Sequence, residues 1–473
     1  MELQRAQLSR SAWSRRGHRR RPDGALHVWV FADLPLGQAV GPSYMVESWQ
    51  RELRRLGLVP RTFTPSGALG EHRREPEQVT FRSLRDIGYA GDHNARYSVV
   101  AELVRARRER PDVVLVSTVG RVGLLGMILA AVYAVPLVMV VSTDTMGATA
   151  FYSPLRAVGS AGVKPLLLMA ASRRARAAFR RTPTTDDEAG AAPVRAARFV
   201  ERTTAALHAD AREVVLLSPK GLSTYGRLCP DARVTVLPSG IDRLPRAPAP
   251  AELTWRPGGL RVLYVGRLAP EKNLSVLIGA LRGAVDAGLD VQLALVGEGP
   301  LRERLVAEAT ALGVRDRLVV AGPYPRAGLG GVYAGADVFA FPSTVDTQAY
   351  VLNEAAHEGL PLLVSDTANG VVEDGVSALV VPADPQSYAR ALATLCDGPL
   401  RQRLGAAARR RAQLFGEAAQ CARLADVVER AAGRPFLPWM PMPVPAPDPG
   451  GSVVPRRGGR AGDDVVTASV PTR

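Results

Sequence analysis

The chain has 473 residues, 47% of them hydrophobic and 5% aromatic, enough apolar material for two or three packed cores and too much for a disordered or fibrous chain. Lys and Arg number 60 against 45 Asp and Glu, a net charge of +15, and only Lys164, Lys220 and Lys272 of those cations are lysine. Three scattered cysteines, Cys229, Cys396 and Cys421, exclude a disulfide framework and a paired-thiolate zinc site, and they fit a reducing cytoplasm.

Residues 1–24 read as a basic, disordered N-terminus; Arg15, Arg16, Arg19, Arg20 and Arg21 have no apolar run behind them and do not read as a secretory signal. From residue 25, short apolar runs alternate with amphipathic stretches, the signature of βαβ units and parallel sheets. A strand is expected at 26–31, a loop with Gly37 and Gly41 after it, and a helix at 43–56 with Arg51, Arg54 and Arg55 outside. Another strand follows at 112–116. The 20 uncharged residues 122–141 are long enough to span a membrane, but Pro136 divides them into a buried helix at 123–133 and a core strand at 137–141. Strands at 213–217 and 233–237 close a first Rossmann-like domain, 25–243, and the Pro-rich residues 244–258 read as a linker.

The pattern then restarts: strand 261–265, helix 273–287, strand 291–296, helix 300–312, strands 318–320 and 338–341, helix 350–358 and strand 362–364, within a second Rossmann-like domain, 259–434. Residues 435–473, rich in Pro, Gly and Arg, read as a disordered tail. The expected class is α/β, with ligands held between the two domains at the carboxyl ends of their strands. Residues 25–257 carry 31 cations against 21 anions, whereas 258–434 carry 18 against 19. A basic first half suits an anionic partner, such as a lipid headgroup layer or a phosphorylated acceptor, and the scarcity of aromatics argues against nucleic acid.

Two segments of the second half carry chemistry. The strand at 261–265 runs through Gly266-Arg267 to Glu271-Lys272 and straight into a helix. A glycine allowing close approach, a planar cation, a point cation and a helix start suit a diphosphate, although a solvated turn with two surface cations reads the same way. In the segment from Pro342 to Ala355, Asp346 and Glu354 stand eight residues apart across a strand-to-helix turn, where both can face one polyhydroxylated ligand. Taken alone they also fit a helix-capping acid and a surface acid.

Together with Gly297-Glu298-Gly299-Pro300 and the run from Tyr333 through Asp337 to Pro342-Ser343, these segments resemble the C-terminal domain of the retaining, GT-B-fold glycosyltransferases of family 4. The first half is similar, more weakly, to the lipid-directed mannosyl- and glucosyltransferase subgroup: Gly41-Pro42-Ser43 in its glycine loop, Arg82-Ser83, Ser142-Thr143-Asp144, and Pro238-Ser239-Gly240-Ile241-Asp242. Asp346 stands where that family has the first glutamate of its paired acids, and Ser142 where it has a histidine.

The resemblance implies two Rossmann-like domains facing across a cleft and transfer of a hexose from GDP-mannose or UDP-glucose with retained anomeric configuration, without a metal or other cofactor. It implies that Arg267 and Lys272 stabilise the leaving diphosphate, that Asp346 holds sugar hydroxyls and that Glu354 holds the donor ribose. Gly266, Gly297, Glu298, Thr347 and Gln348 would complete the donor site, and Gly41, Ser43, Ser142 and Asp144 would line the acceptor side. The expected acceptor is a lipid, reached by peripheral binding of the helix carrying Arg173, Arg174, Arg176, Arg180 and Arg181 to the inner face of a membrane. A small soluble acceptor, or a non-catalytic sugar-nucleotide-binding partner, remains as the alternative.

Overall fold

The computed structural model describes residues 24–37, 41–66, 73–74, 76–85, 93–142, 168–181, 192–245 and 253–433. Residues 1–23, residues 246–252 of the Pro-rich linker and the C-terminal tail therefore lie outside the described residues. Everything described belongs to one compact unit ending at Pro435.

The first half contains β1 (His27–Phe31), α1 (Gly41–Arg55), β2 (Val59–Pro65), β3 (Arg73–Arg74), β4 (Gln78–Phe81), the β5 (Ser83–Arg85) and β6 (His93–Ala95) pair, α2 (Val99–Glu109), β7 (Val113–Val116), α3 (Arg121–Tyr133), β8 (Leu137–Val141), α4 (Arg173–Arg181), α5 (Ala192–His208), β9 (Ala211–Leu216), α6 (Leu222–Leu228) and β10 (Arg233–Val236). Eight strands form its sheet in the order β10-β9-β8-β7-β1-β2-β4-β3, parallel except for β3. The second half contains β11 (Leu260–Val265), α7 (Leu274–Asp286), β12 (Val291–Val296), α8 (Arg302–Ala311), β13 (Leu318–Ala321), α9 (Arg326–Ala334), β14 (Val338–Phe341), α10 (Tyr350–His357), β15 (Leu362–Val364), β16 (Ala378–Val380), α11 (Pro385–Thr394), α12 (Gly398–Gln413) and α13 (Glu417–Ala431). Its six-stranded sheet is wholly parallel, in the order β13-β12-β11-β14-β15-β16.

Parallel strands covered by helices on both faces lose the alternation of a half-wet sheet, and β7, β8 and β12 are buried at every position. The uncharged run 122–141 supplies α3 and β8, both in the first-half core. α3 is buried from Val122 to Val132 and packs against β1 and β7, so its all-round apolarity is that of a core helix. Among the described residues no helix is long and apolar enough to cross a membrane.

The last helix of the chain's second half does not stay with its own sheet. α13 buries Cys421, Leu424, Ala425, Val427 and Val428 in one cluster with Val28, Val30, Met45, Trp49, Val113 and Val140 of the first half. Two ion-pair anchors hold it there: Arg430 forks onto Glu213 at 2.8 and 3.0 Å, and Arg51 pairs with Glu417. The segment expected as one domain to residue 434 thus sends its final helix back across to the first sheet, because that sheet has an apolar face next to α1 that only α13 covers among the described residues.

Candidate functional site

The carboxyl-terminal ends of β11, β12 and β14 converge on a pair of glycine turns. Gly266 adopts φ +151° and Gly297 φ +135°, and a Cβ on Gly297 would lie 2.1 Å from the Gly266 carbonyl oxygen. The turns touch backbone to backbone, which only glycine permits there. Leu268 N–H donates to the Glu298 carbonyl at 2.8 Å, so Glu298 contributes its main chain while its side chain points to solvent.

The cations meet acids of the chain itself. Lys272 Nζ donates to Asp346 Oδ1 at 2.6 Å and lies 5.6 Å from the centre of the Phe341 ring; Arg267 pairs with Glu271, four residues on in the same loop. Asp346 Oδ2 and Glu271 Oε2 are buried with no hydrogen-bond partner among the described residues. A buried carboxylate oxygen costs free energy unless a donor reaches it, so each of these two has an acceptor to spare. Ser343 Oγ donates to the Glu271 carbonyl at 3.1 Å, tying the two segments together. Among the described residues no group of three or more His, Cys, Asp or Glu could hold a metal ion.

Glu354, one turn into α10, is buried and engaged on both oxygens, accepting from Arg326 Nη1 at 2.7 Å and from Tyr333 Oη at 2.9 Å. Burial, reinforced by the negative charge of Glu354, raises the Tyr333 phenol well above its ordinary range, and burial with Asp346 and Glu271 does the same to Tyr264. Both phenols stay protonated and donate, Tyr264 to the Arg267 carbonyl at 2.9 Å.

The loop carrying Asp346 is clamped from the first half. Gln348 exchanges two hydrogen bonds with the Ser239 backbone, 2.7 Å to its Oε1 and 3.0 Å from its Nε2. Thr347 Oγ1 donates to the Ser142 carbonyl at 2.9 Å. Lys220 donates to the Thr344 carbonyl and to Asp366 Oδ2 at 2.7 Å. His357 sits in the same contact: its Nε2 pairs with the Ile241 carbonyl at 2.8 Å, a packed histidine rather than a ligand. Apart from His357 at the end of α10, each of these partners follows the carboxyl end of a strand, so the two sheets meet at the edges where parallel sheets hold ligands.

The structure brings together Gly266, Arg267, Lys272, Gly297, Asp346, Thr347, Gln348 and Glu354. On the acceptor side it places Gly41 against the Tyr350 ring, 3.1 Å from where a Cβ would stand. Ser43 is buried, its hydroxyl donating to the Pro35 carbonyl at 2.8 Å, and the Ser142 hydroxyl turns back to the Ser117 carbonyl at 2.9 Å. Asp144 lies outside the described residues. Sequence reasoning missed Tyr44, Lys220, Arg326 and Tyr333 as participants. The rarity of lysine, which singled out Lys272, applied equally to Lys220.

Two family descriptions match the chain, Glycosyl transferase 4-like domain over residues 40–198 and Glycosyl transferases group 1 over residues 259–398. A GDP-mannose-dependent alpha-(1-6)-phosphatidylinositol dimannoside mannosyltransferase of Mycobacterium tuberculosis is 32% identical over 230 residues, 47% of this chain and 59% of that protein. A D-inositol 3-phosphate glycosyltransferase of Thermobispora bispora is 32% identical over 223 residues, 43% and 52% of the respective chains. The chain thus spans between half and three-fifths of the length of these curated relatives. In fold it is similar to a sucrose-phosphate synthase from Thermosynechococcus elongatus, with a TM-score of 0.61 at 18% identity over 86% of this chain and 98% of that one.

Proposed function

We infer the activity from membership: the chain belongs to the GT-B-fold glycosyltransferases of family 4, and on that premise we propose that it moves a hexose, mannose or glucose, from a nucleoside diphosphate to an acceptor with retention. The observation that carries the reading is the glycine-walled turn where Lys272 and Arg267 each face a carboxylate. As the sugar leaves, negative charge builds on the terminal phosphate, and two preorganised cations oppose it without reorganising solvent. Asp346, with an unpartnered buried oxygen, takes the sugar hydroxyls, and Glu354 accepts the ribose hydroxyls on its remaining lone pairs. The two cations supply the charge a metal would otherwise bring, so activity should survive chelation by EDTA.

The acceptor in this reading is a lipid with a phosphorylated polyol head, as the names of the mycobacterial and inositol-phosphate relatives suggest. In support, α4 exposes Arg173, Arg174, Arg180 and Arg181 with no ion-pair partner among the described residues. Each cation near an anionic bilayer is worth roughly 1 kcal/mol. The protein then works from the cytoplasmic face as a peripheral enzyme. Incubation with labelled GDP-mannose and UDP-glucose, with and without anionic vesicles containing phosphatidylinositol, tests both levels. Sugar appearing in lipid supports the whole reading; donor consumed only with soluble polyols replaces the lipid; binding without any turnover leaves a sugar-nucleotide-binding partner, a reading favoured by Ser142, which offers no imidazole.

A further inference from the structure

Arg326 opens α9 at the edge of the second sheet, yet it belongs to neither half alone. Its guanidinium lies 4.3 Å from the centre of the Tyr44 ring, a residue of α1 in the first half, and its Nη1 donates to Glu354 Oε1 at 2.7 Å. The guanidinium plane is therefore fixed on two sides, by a ring face and by a buried carboxylate. Nε and Nη2 make no hydrogen bond to any described residue, and the side chain keeps 22% of its surface exposed. A fork locked in orientation with donors to spare is built to read something planar.

Its place in the sheet indicates what. The diphosphate turn follows β11, and α9 follows β13, two strands away in the order β13-β12-β11. The guanidinium itself reaches back past that order to Glu354, whose helix follows β14 on the other side of β11, so it lies beside the carboxylate assigned to the ribose. A ribose held at Glu354 would carry its base within reach of the same guanidinium, 2.7 Å from that carboxylate.

We propose that Arg326, clamped between Tyr44 and Glu354, reads the base of the donor nucleotide and selects guanine. The inference rests on the reading of this site as one for a nucleoside diphosphate. The paired donors of a guanidinium match two adjacent acceptors, the O6 and N7 of guanine; uracil offers one carbonyl at that edge, and adenine presents an N6 donor that opposes the fork. Because Tyr44 comes from the acceptor half, base selection is a property of the assembled pair of halves.

Calorimetric titration of the full chain with GDP, UDP and ADP tests it. The wild type should bind GDP at least tenfold more tightly than ADP, with UDP between them. Arg326→Lys keeps a cation beside Glu354 but loses the planar fork, and should bring the GDP-to-ADP ratio below threefold while its melting temperature stays near wild type. Arg326→Ala should do the same with some loss of stability, and Tyr44→Ala should lower the ratio partway. If the wild type binds GDP and ADP equally, or if Arg326→Lys and Arg326→Ala keep the wild-type ratio, Arg326 does not read the base, although the nucleotide site stands. If the wild type binds none of the three, the nucleotide reading itself falls and this inference with it.

Discussion

The two sheets treat the same kind of place, the carboxyl end of a strand beside a fresh helix, in opposite ways. At the end of β1, Asp33 turns its carboxylate onto the start of α3, accepting from Gly120 N–H at 2.5 Å, Val122 N–H at 2.6 Å, Gly123 N–H at 3.3 Å and Thr118 Oγ1 at 2.9 Å. The anion that such a helix start attracts is part of the chain. At the end of β11 no carboxylate of the described residues is pinned to the main chain in this manner. Among the described residues the acids there meet side-chain cations, Lys272 and Arg267, contacts of a kind that an entering phosphate could exchange. A helix start filled by a backbone-bound acid serves stability, and one faced by side-chain ion pairs is the place our proposal leaves open for a ligand.

The largest effect should come from breaking the filled one. Asp33→Ala strands several buried N–H groups and should cost about 3 kcal/mol in urea unfolding. Sulfate should restore part of the loss, since the bared helix start becomes an anion site, while nucleotide affinity stays unchanged. At the open place the reverse holds. Lys272→Ala and Arg267→Ala should each weaken nucleoside diphosphate binding by about 1.5–3 kcal/mol, roughly 10- to 150-fold, with little change in melting temperature; calorimetry and thermal unfolding read the two quantities separately.

A finer cut lies within the open place. Glu354→Ala should weaken the free nucleotide and lower stability by about 1–3 kcal/mol, because Arg326 and Tyr333 lose their shared acceptor. Asp346→Ala should spare the free nucleotide and lower kcat with the sugar donor. Equal loss of nucleotide affinity in both would assign them one role.

The smallest effect concerns acid. His208, in α5 of the first half, is fully buried; burial lowers its pKa, against a counteracting hydrogen bond to the Thr204 carbonyl at 2.8 Å. A group whose folded pKa is depressed stabilises the fold above its unfolded value, ~6.5 for histidine, and that contribution is lost as pH falls toward the folded value. Unfolding midpoints measured from pH 8 to pH 5 should therefore decline below ~6.5 in the wild type and decline less in His208→Phe.

The open place was far more legible in the sequence than the filled one. Gly266, Lys272, Asp346 and Glu354 lie in two short segments with fixed spacings, and the strands around them are uninterrupted apolar runs. Asp33 has partners 85 to 90 residues away, Gln348 meets Ser239 across 109, and Tyr44 meets Arg326 across nearly 300; no local pattern encodes such pairings. Some elements also hid. β2 begins Val59-Pro60-Arg61, and a proline and an arginine at its start mask a strand whose buried residues are Pro60, Thr62, Phe63, Thr64 and Pro65. α13 reads as an ordinary amphipathic helix, and nothing in its spacing tells which sheet it covers.

That last crossing has a consequence for how the chain is made. The part of the first sheet's face next to α1 cannot be covered until residues 417–431 have left the ribosome, although β10 ends at Val236. At ~5–20 residues per second, about 180 residues of delay is on the order of 10–40 s, during which Val28, Val30, Val113, Val140 and Val215 have no α13 to meet. The nascent first half therefore carries that apolar face without its covering helix through the whole synthesis of the second. A chain truncated before Glu417 should accumulate in aggregates even though every strand of both sheets is present.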